Sequence, residues 1–329
     1  MTTATLPKAF IWRRLHSLMG LWLVLFLFEH LLTNSQAALL LGDNAKGFVE
    51  FVNALHNLPY LQAIEIFLLG VPIAIHAVLG IKYLFTSKMN AHRTDGSKPD
   101  MHQYGRNRAY SWQRITSWVL LIGIILHVAK FRFIEYPDSI NQGDKQSYFV
   151  TVSVDKGLYT VAARLGVQLY GPEQIEEQKQ DIESRHAEQT LVEVAGTLPN
   201  KSEYDAQEQM ILTSAQAYEQ KRAWLNVLTR QKVSATQVVA VASNFGTATL
   251  LSVRDTFKSP LYVGLYTVFV LAACFHAFNG LWTFLITWGA VLRVSAQKGA
   301  LKITWALMAL VAFLGLASIW GTYFLNLKN

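Results

Sequence analysis

Apolar residues along the chain fall into five blocks, and four of these carry a single histidine near their middle. A bilayer-crossing helix needs ~20 mainly apolar residues. The blocks predict such helices over about Leu15–Leu41, Tyr60–Phe85, Ser111–Phe131, Pro260–Leu292 and Leu301–Leu325. Gly42-Asp43-Asn44 closes the first, and Asn57 and Pro59 precede the second. The histidines are His30 in LWLVLFLFEHLLT, His76 in LLGVPIAIHAVLGIKYLF, His127 in WVLLIGIILHVAK and His276 in VFVLAACFHAFNGLW. Between the third and fourth blocks the pattern changes. SYFVTVSV alternates like a strand, and PEQIEEQKQDIESRHAEQTLVEVA and SEYDAQEQMILTSAQAYEQKRAWLNVLTRQK read as polar, partly amphipathic helices. VSATQVVAVASNFGTATLLSV, residues 233–253, has no charge, but its Ser, Thr, Asn and Gly content makes it a poor span. The expected fold is an all-α membrane protein of five transmembrane helices with an inserted extramembrane α or α+β domain. The expected divisions are 1–131, 132–258 and 259–329.

Composition agrees with a membrane part diluted by a polar one. The 329 residues are 52% hydrophobic and 16% charged, where soluble domains carry roughly a quarter charged residues. Residues 131–258 hold 16 of the 22 acidic and 13 of the 29 basic residues, so the insert is net acidic and the remainder strongly basic. That basic excess lies in short loops and reads as membrane topology, not as a nucleic-acid surface. One side offers Lys8, Arg13 and Arg14, then Lys82, Lys88, Arg93, Lys98, Arg106, Arg108 and Arg114, then Arg293, Lys298 and Lys302; the first-to-second loop offers only Lys46. Positive loops stay cytoplasmic, which puts the N-terminus inside, the C-terminus outside and the insert on the outer face. A single cysteine, Cys274, excludes an internal disulfide and a cysteine-clustered metal site. The N-terminus lacks a short apolar core with a cleavage site, so the first helix is expected to be retained.

An ionisable side chain in hydrocarbon is costly and marks function by default. One such histidine is accounted for by a hydrogen bond to a neighbouring helix, and two by a proton relay. Four, one per helix, with Glu29 and Glu65 as the only carboxylates in the spans, point to ligation. Neutral imidazole is a strong iron ligand, and bundles hold cofactors between facing helices. Four histidines make two bis-histidine haems, an arrangement without an open coordination position that suits electron transfer. At ~1.5 Å per residue, His30 lies about 24 Å past Arg14 and His127 about 20 Å past Arg114, so both fall in the outer half. His76 is about 9 Å from Lys82, on the inner side. Depth does not place His276, which joins His76 by elimination.

Further polar groups flank these levels. Gly80 and Gly280 each follow a histidine by four and would admit a flat macrocycle, although helix packing explains either alone. Arg13, Arg14 and His16 at the inner end, and Lys130 and Arg132 at the outer end, are candidates to pair haem propionates; headgroup anchoring accounts for any single one. Quinone reduction consumes two electrons and two protons. Glu65, with Gln36 and His56 nearby in the chain, is the candidate proton-donating group; a headgroup-level helix contact is the structural alternative.

RRLHSLMG at 13–20, FLFEHLLTN at 26–34, LPYLQAIEIF at 58–67, VPIAIHAVLG at 71–80 and FHAFNGLWTFLITWG at 275–289 resemble the single-chain, di-haem, five-helix cytochrome b subunit of succinate dehydrogenase and fumarate reductase. The resemblance covers nearly all of 10–131 and 250–325. It implies two haem b groups, His76 with His276 nearer the cytoplasm and His30 with His127 on the distal side. It also implies an iron–sulfur subunit docked on the cytoplasmic face, at the loop ending in Tyr104–Trp112, and an FAD flavoprotein beyond it that carries the dicarboxylate site. Electrons would then pass between succinate or fumarate and a quinone in the bacterial cytoplasmic membrane, as part of tricarboxylic acid metabolism. The chain itself holds nothing resembling a flavin or iron–sulfur site. The long connection between the third and fourth spans departs from the family. Two other classes remain open to this sequence. Cytochrome b subunits of formate dehydrogenases or hydrogenases put several histidines on fewer helices, and a transporter or sensor would use the outer domain to bind a ligand.

Overall fold

The computed structural model describes residues 6–38, 45–86, 101–143, 145–195 and 201–328, with side chains described outside 185–215 and 327–328. Among the described residues, five helices are long and apolar enough to cross a membrane. They are α1 (Lys8–Ser35); a rod over Leu61–Thr86 built from α3 (Leu61–Glu65), a π-helical turn (Ile66–Gly70) and α4 (Val71–Thr86); α5 (Gly105–Val128), continued by a second π segment (Ala129–Ile134); α10 (Pro260–Thr287); and α11 (Val294–Lys328). The observed helices begin earlier than hydropathy predicts, at Lys8, Gly105 and Val294, because basic and polar end turns still complete the backbone hydrogen bonds. The fourth ends at Thr287, short of Leu292, because Gly289 turns into the left-handed region at φ +75°. Gly42-Asp43-Asn44, Lys88, Arg93 and Lys98 lie outside the described residues. The connection after α1 also holds α2 (Lys46–His56), where hydropathy suggests only a loop.

The break in the second rod has a local cause. Pro72 has no N–H, and its ring crowds the carbonyl four residues back, that of Leu68. The backbone answers with a π turn in which the Val71 N–H reaches the Ile66 carbonyl. The Trp22 indole N–H of α1 donates to the Leu68 carbonyl at 2.5 Å. In hydrocarbon an unmet carbonyl costs several kcal/mol, so this cross-helix bond replaces the one proline deletes. Helix α11 packs closely against α1 and α10 at Gly315, where a Cβ would lie 2.6 Å from Val270 Cγ1 and 3.1 Å from Leu31 Cδ1. Small residues at such crossings are how membrane helices gain packing energy.

The chain divides into two compact units, Met1–Lys130 with Phe257–Lys328, and Phe131–Thr256. The second is α+β. It contains β1 (Asp138–Gln142), β2 (Lys145–Ser153), α6 (Lys156–Leu165), β3 (Gln168–Tyr170), α7 (Pro172–Ala195), α8 (Lys201–Arg230), β4 (Gln237–Ala242) and α9 (Phe245–Thr256). Its antiparallel sheet runs β1-β2-β4-β3, with Val150 opposite Ala240 and Leu169 also opposite Ala240. Strand alternation sorts the core by face. Tyr148, Val150, Val152, Val238 and Ala240 pack with Leu158 and Ala162 of α6 and Leu251 of α9. Phe149, Val239 and Val241 pack with Ile182 of α7 and Trp224 and Leu228 of α8. The uncharged stretch 233–253 is therefore a central strand and a buried helix. Asp155 caps α6 by accepting the Leu158 N–H at 2.9 Å, and takes the Arg254 guanidinium in two bonds of 2.7 and 2.9 Å.

Candidate functional site: paired imidazoles in the helical unit

Two pairs of histidines face one another across the helices. His30 on α1 and His127 on α5 have ring centroids 5.9 Å apart with planes at 83°. His76 on α4 and His276 on α10 stand 6.1 Å apart at 81°. Each helix brings one ring, and its rotation is set by the crossings around it. Gly20 lets α1 approach α4, since a Cβ there would lie 2.9 Å from His76 Cε1. Gly123 lets α5 approach α10, since a Cβ there would overlap the Phe269 ring at Cδ2. His16, on the same helix as His30 and 14 residues earlier, sits beside the second pair. The two pairs are therefore separated by about 21 Å along α1.

Every one of the four rings has its Nδ1 against a polar group. His76 Nδ1 lies 3.0 Å from the main-chain carbonyl of His16. His276 Nδ1 lies 3.4 Å from both Thr116 Oγ1 and Ser117 Oγ. Those two hydroxyls donate to α5 carbonyls, Thr116 to Trp112 and Ser117 to Gln113, which leaves their oxygens to accept. His127 Nδ1 is 3.2 Å from Tyr266 Oη, and His30 Nδ1 is 3.5 Å from Asn34 Nδ2, an NH2 group that donates to the His30 carbonyl at 2.7 Å. Gln113 adds a clamp on the backbone, donating to the His276 carbonyl at 3.0 Å and accepting from Asn279 at 2.7 Å. Such partners fix a ring's tautomer and its plane.

The other sequence candidates fall as follows. The His16 ring stacks on His76 with centroids 4.0 Å apart and planes at 16°. Arg14 lies over the Phe10 and Trp288 rings, and its Nη1 is buried without a hydrogen-bond partner, whereas Arg13 is exposed. Lys130 lies 4.7 Å over the Tyr262 ring, and Arg132, in the second unit, 4.7 Å over Tyr136. Gln36 packs on Gly47 of α2, His56 ends α2, and Glu65 ends α3 just before the π turn. A Cβ on Gly80 or Gly280 would meet nothing closer than 3.5 Å (His16 Nε2) or 3.8 Å (Gln113 Nε2). The tight glycine at the inner pair is instead Gly20, which closes the RRLHSLMG motif and which spacing from a histidine does not single out. Tyr266, Thr116, Ser117 and Asn34 are likewise not among the sequence candidates. Only Asn34 carries a local signal, four residues after His30 on the same helix face.

Among the described residues no three His, Cys, Asp or Glu side chains gather as a metal cluster. A bis-imidazole site asks for two. Metal–imidazole bonds run about 2 Å and each nitrogen lies about 1 Å from its ring centre, so two axial rings on one iron stand about 6 Å apart. Both pairs fit that spacing, and the orphaned Nη1 of Arg14, two residues before His16, fits a bound anion.

No family model matches the chain, and no solved structure matches it. It is similar to the succinate dehydrogenase cytochrome b558 subunit of Bacillus subtilis (strain 168), with 24% identity over 313 residues, 95% of this chain and 96% of that protein. The resemblance carried by the five motifs is borne out by that relative, and the five apolar helices make the chain a multi-pass membrane protein.

Proposed function

We propose that this chain, a relative of that cytochrome b subunit, is the di-haem membrane anchor of a succinate:quinone oxidoreductase and conducts electrons between an iron–sulfur subunit and membrane quinone. The observation that carries the reading is the two perpendicular imidazole pairs at 5.9 and 6.1 Å. When bound, haem supplies a one-electron iron couple. The protein's part is to hold that couple in place. His76 with His276, and His30 with His127, would hold the two haems; for His76, His276 and His127 ligation would run through Nε2, because Nδ1 of each is turned to a carbonyl or hydroxyl oxygen. Rings held this way move little on a change of charge. Arg14 offers its buried Nη1 to an inner propionate, and Arg13 stands on the preceding position at the surface. Lys130 serves the outer end. The His16 ring braces His76 by stacking.

Orientation is read from one end of the bundle. Trp288 donates to Ser17, Arg106 donates to Gln297, and Arg114 donates to the Leu84 carbonyl, so the basic ends of α1, α4, α5 and α11 gather together. That end is taken as cytoplasmic. Tyr104, Tyr110 and Trp112, all exposed on or beside α5, mark the face for the iron–sulfur subunit, with the flavoprotein beyond it. Glu65, Gln36 and His56 are at the opposite end of the rods, the end we assign to quinone and its protons. One proposed ligand on each of four helices disfavours the formate dehydrogenase and hydrogenase plan. Dithionite-reduced minus oxidised spectra of the purified protein test the reading: a b-type band is expected, and its absence ends the proposal.

A further inference from the structure

The four Nδ1 partners are not equivalent. His76 meets a main-chain carbonyl, His276 two hydroxyls already committed to carbonyls, and His30 a side chain on its own helix. His127 meets the phenol of Tyr266, a side chain from another helix 139 residues away. The Tyr266 ring is held in place by Phe257 at 5.4 Å and 88°, and by Phe269 at 6.1 Å and 83°. Its own ring stands 5.8 Å from that of His127. A phenol boxed by two edge-on aromatics keeps its oxygen in one position.

We infer that Tyr266 is the positioning residue of the outer haem, accepting the Nδ1–H of His127 and thereby setting that centre's potential independently of the inner one. This rests on the di-haem reading above. A ligating imidazole whose N–H is accepted is a more basic ligand. More basic ligation favours the ferric form, so the acceptor lowers the potential. At the inner centre the corresponding acceptors come from His16, Thr116 and Ser117, none of which touches Tyr266 through the bonds described. The two centres are thus tuned by separate groups.

The test is redox titration of the two haems in Tyr266→Phe and Phe26→Leu variants of the complete protein. Tyr266→Phe keeps the ring and its packing and removes only the oxygen. Phe26→Leu disturbs the packing on His30, the other outer ring, whose centre is 5.4 Å away, and leaves the phenol and the two rings that hold it. The outer potential is expected to rise in Tyr266→Phe by up to the equivalent of a tenfold change in ferric preference, about 59 mV for one electron. The inner potential should be unmoved, and Phe26→Leu should not reproduce the rise. An unchanged outer potential, an equal shift at both centres, or the same shift in Phe26→Leu overturns the inference. The di-haem reading is judged separately, by the haem content of the parent protein, and fails only if the parent lacks two haems per chain.

Discussion

The main-chain carbonyl of His16 lies 3.0 Å from Nδ1 of His76, while the imidazole of the same residue stacks on that ring at 4.0 Å. Three histidines therefore meet at the inner site, but in two geometries. His276 stands perpendicular to His76 at ligand spacing, and His16 lies parallel to it. A parallel, stacked ring cannot share an axial line with the ring beneath it.

His16→Ala keeps the carbonyl and removes only the stack, so it should retain both haems. His76→Ala and His276→Ala should each lose the inner haem and keep the outer one. Haem-to-protein ratios of the three purified variants decide this. A His16→Ala protein with one haem, or a His276→Ala protein with two, would show that His16 is the ligand.

Adding a methyl at Gly20 should be felt at the inner haem alone. The new Cβ would sit 2.9 Å from His76 Cε1, closer than carbon atoms pack, while at Gly280 it would find 3.8 Å to the nearest side-chain atom. Gly20→Ala is expected to cost about 1–3 kcal/mol by overpacking and to loosen the inner haem. Gly280→Ala should be nearly neutral. Thermal loss of the haem absorbance in detergent measures both. Equal losses would contradict the assignment of Gly20 as the close approach.

The Trp22–Leu68 bond exists because Pro72 removes a helix bond. Trp22→Phe should destabilise by about 1–3 kcal/mol by leaving the Leu68 carbonyl unmet in hydrocarbon. In a Pro72→Ala background the regained N–H can serve that carbonyl, and the same substitution should cost clearly less. A double-mutant cycle on unfolding reads the coupling. Additive effects would mean that the indole packs without compensating for the proline.

Within the second unit, Arg254 is the charge most dependent on its partner, with a side chain only 10% exposed. Asp155→Asn removes the carboxylate that takes that guanidinium in two bonds and should cost on the order of 3–5 kcal/mol. Limited proteolysis should then open residues 131–256 first. The haem spectrum should hold, because none of the four histidines belongs to this unit.

The sequence shows some of these features and conceals others for physical reasons. Hydrocarbon demands long apolar runs, so the five spans are legible, and the fixed helix rise places His30 and His127 at one level. Hydropathy reports the apolar centre of a helix and not its ends, which is why Lys8–Arg14 and Gly105–Tyr110 fall outside the expected spans. Helix α2 shows an apolar Phe48, Phe51, Val52, Leu55 spacing, but over 11 residues it is short enough to pass as a loop. The partners of the imidazoles are hidden more deeply. Tyr266 and His127, or Thr116 and His276, meet across helices through rotations that no local pattern encodes. Gly20 and the Pro72 break become meaningful only once α1 and α4 are side by side.

The haem content of the purified protein tests the central claim most directly. Two haem b per chain, each low-spin and bis-imidazole by electron paramagnetic resonance, is the predicted result. One haem per chain, or a high-spin centre with an open coordination position, would contradict it.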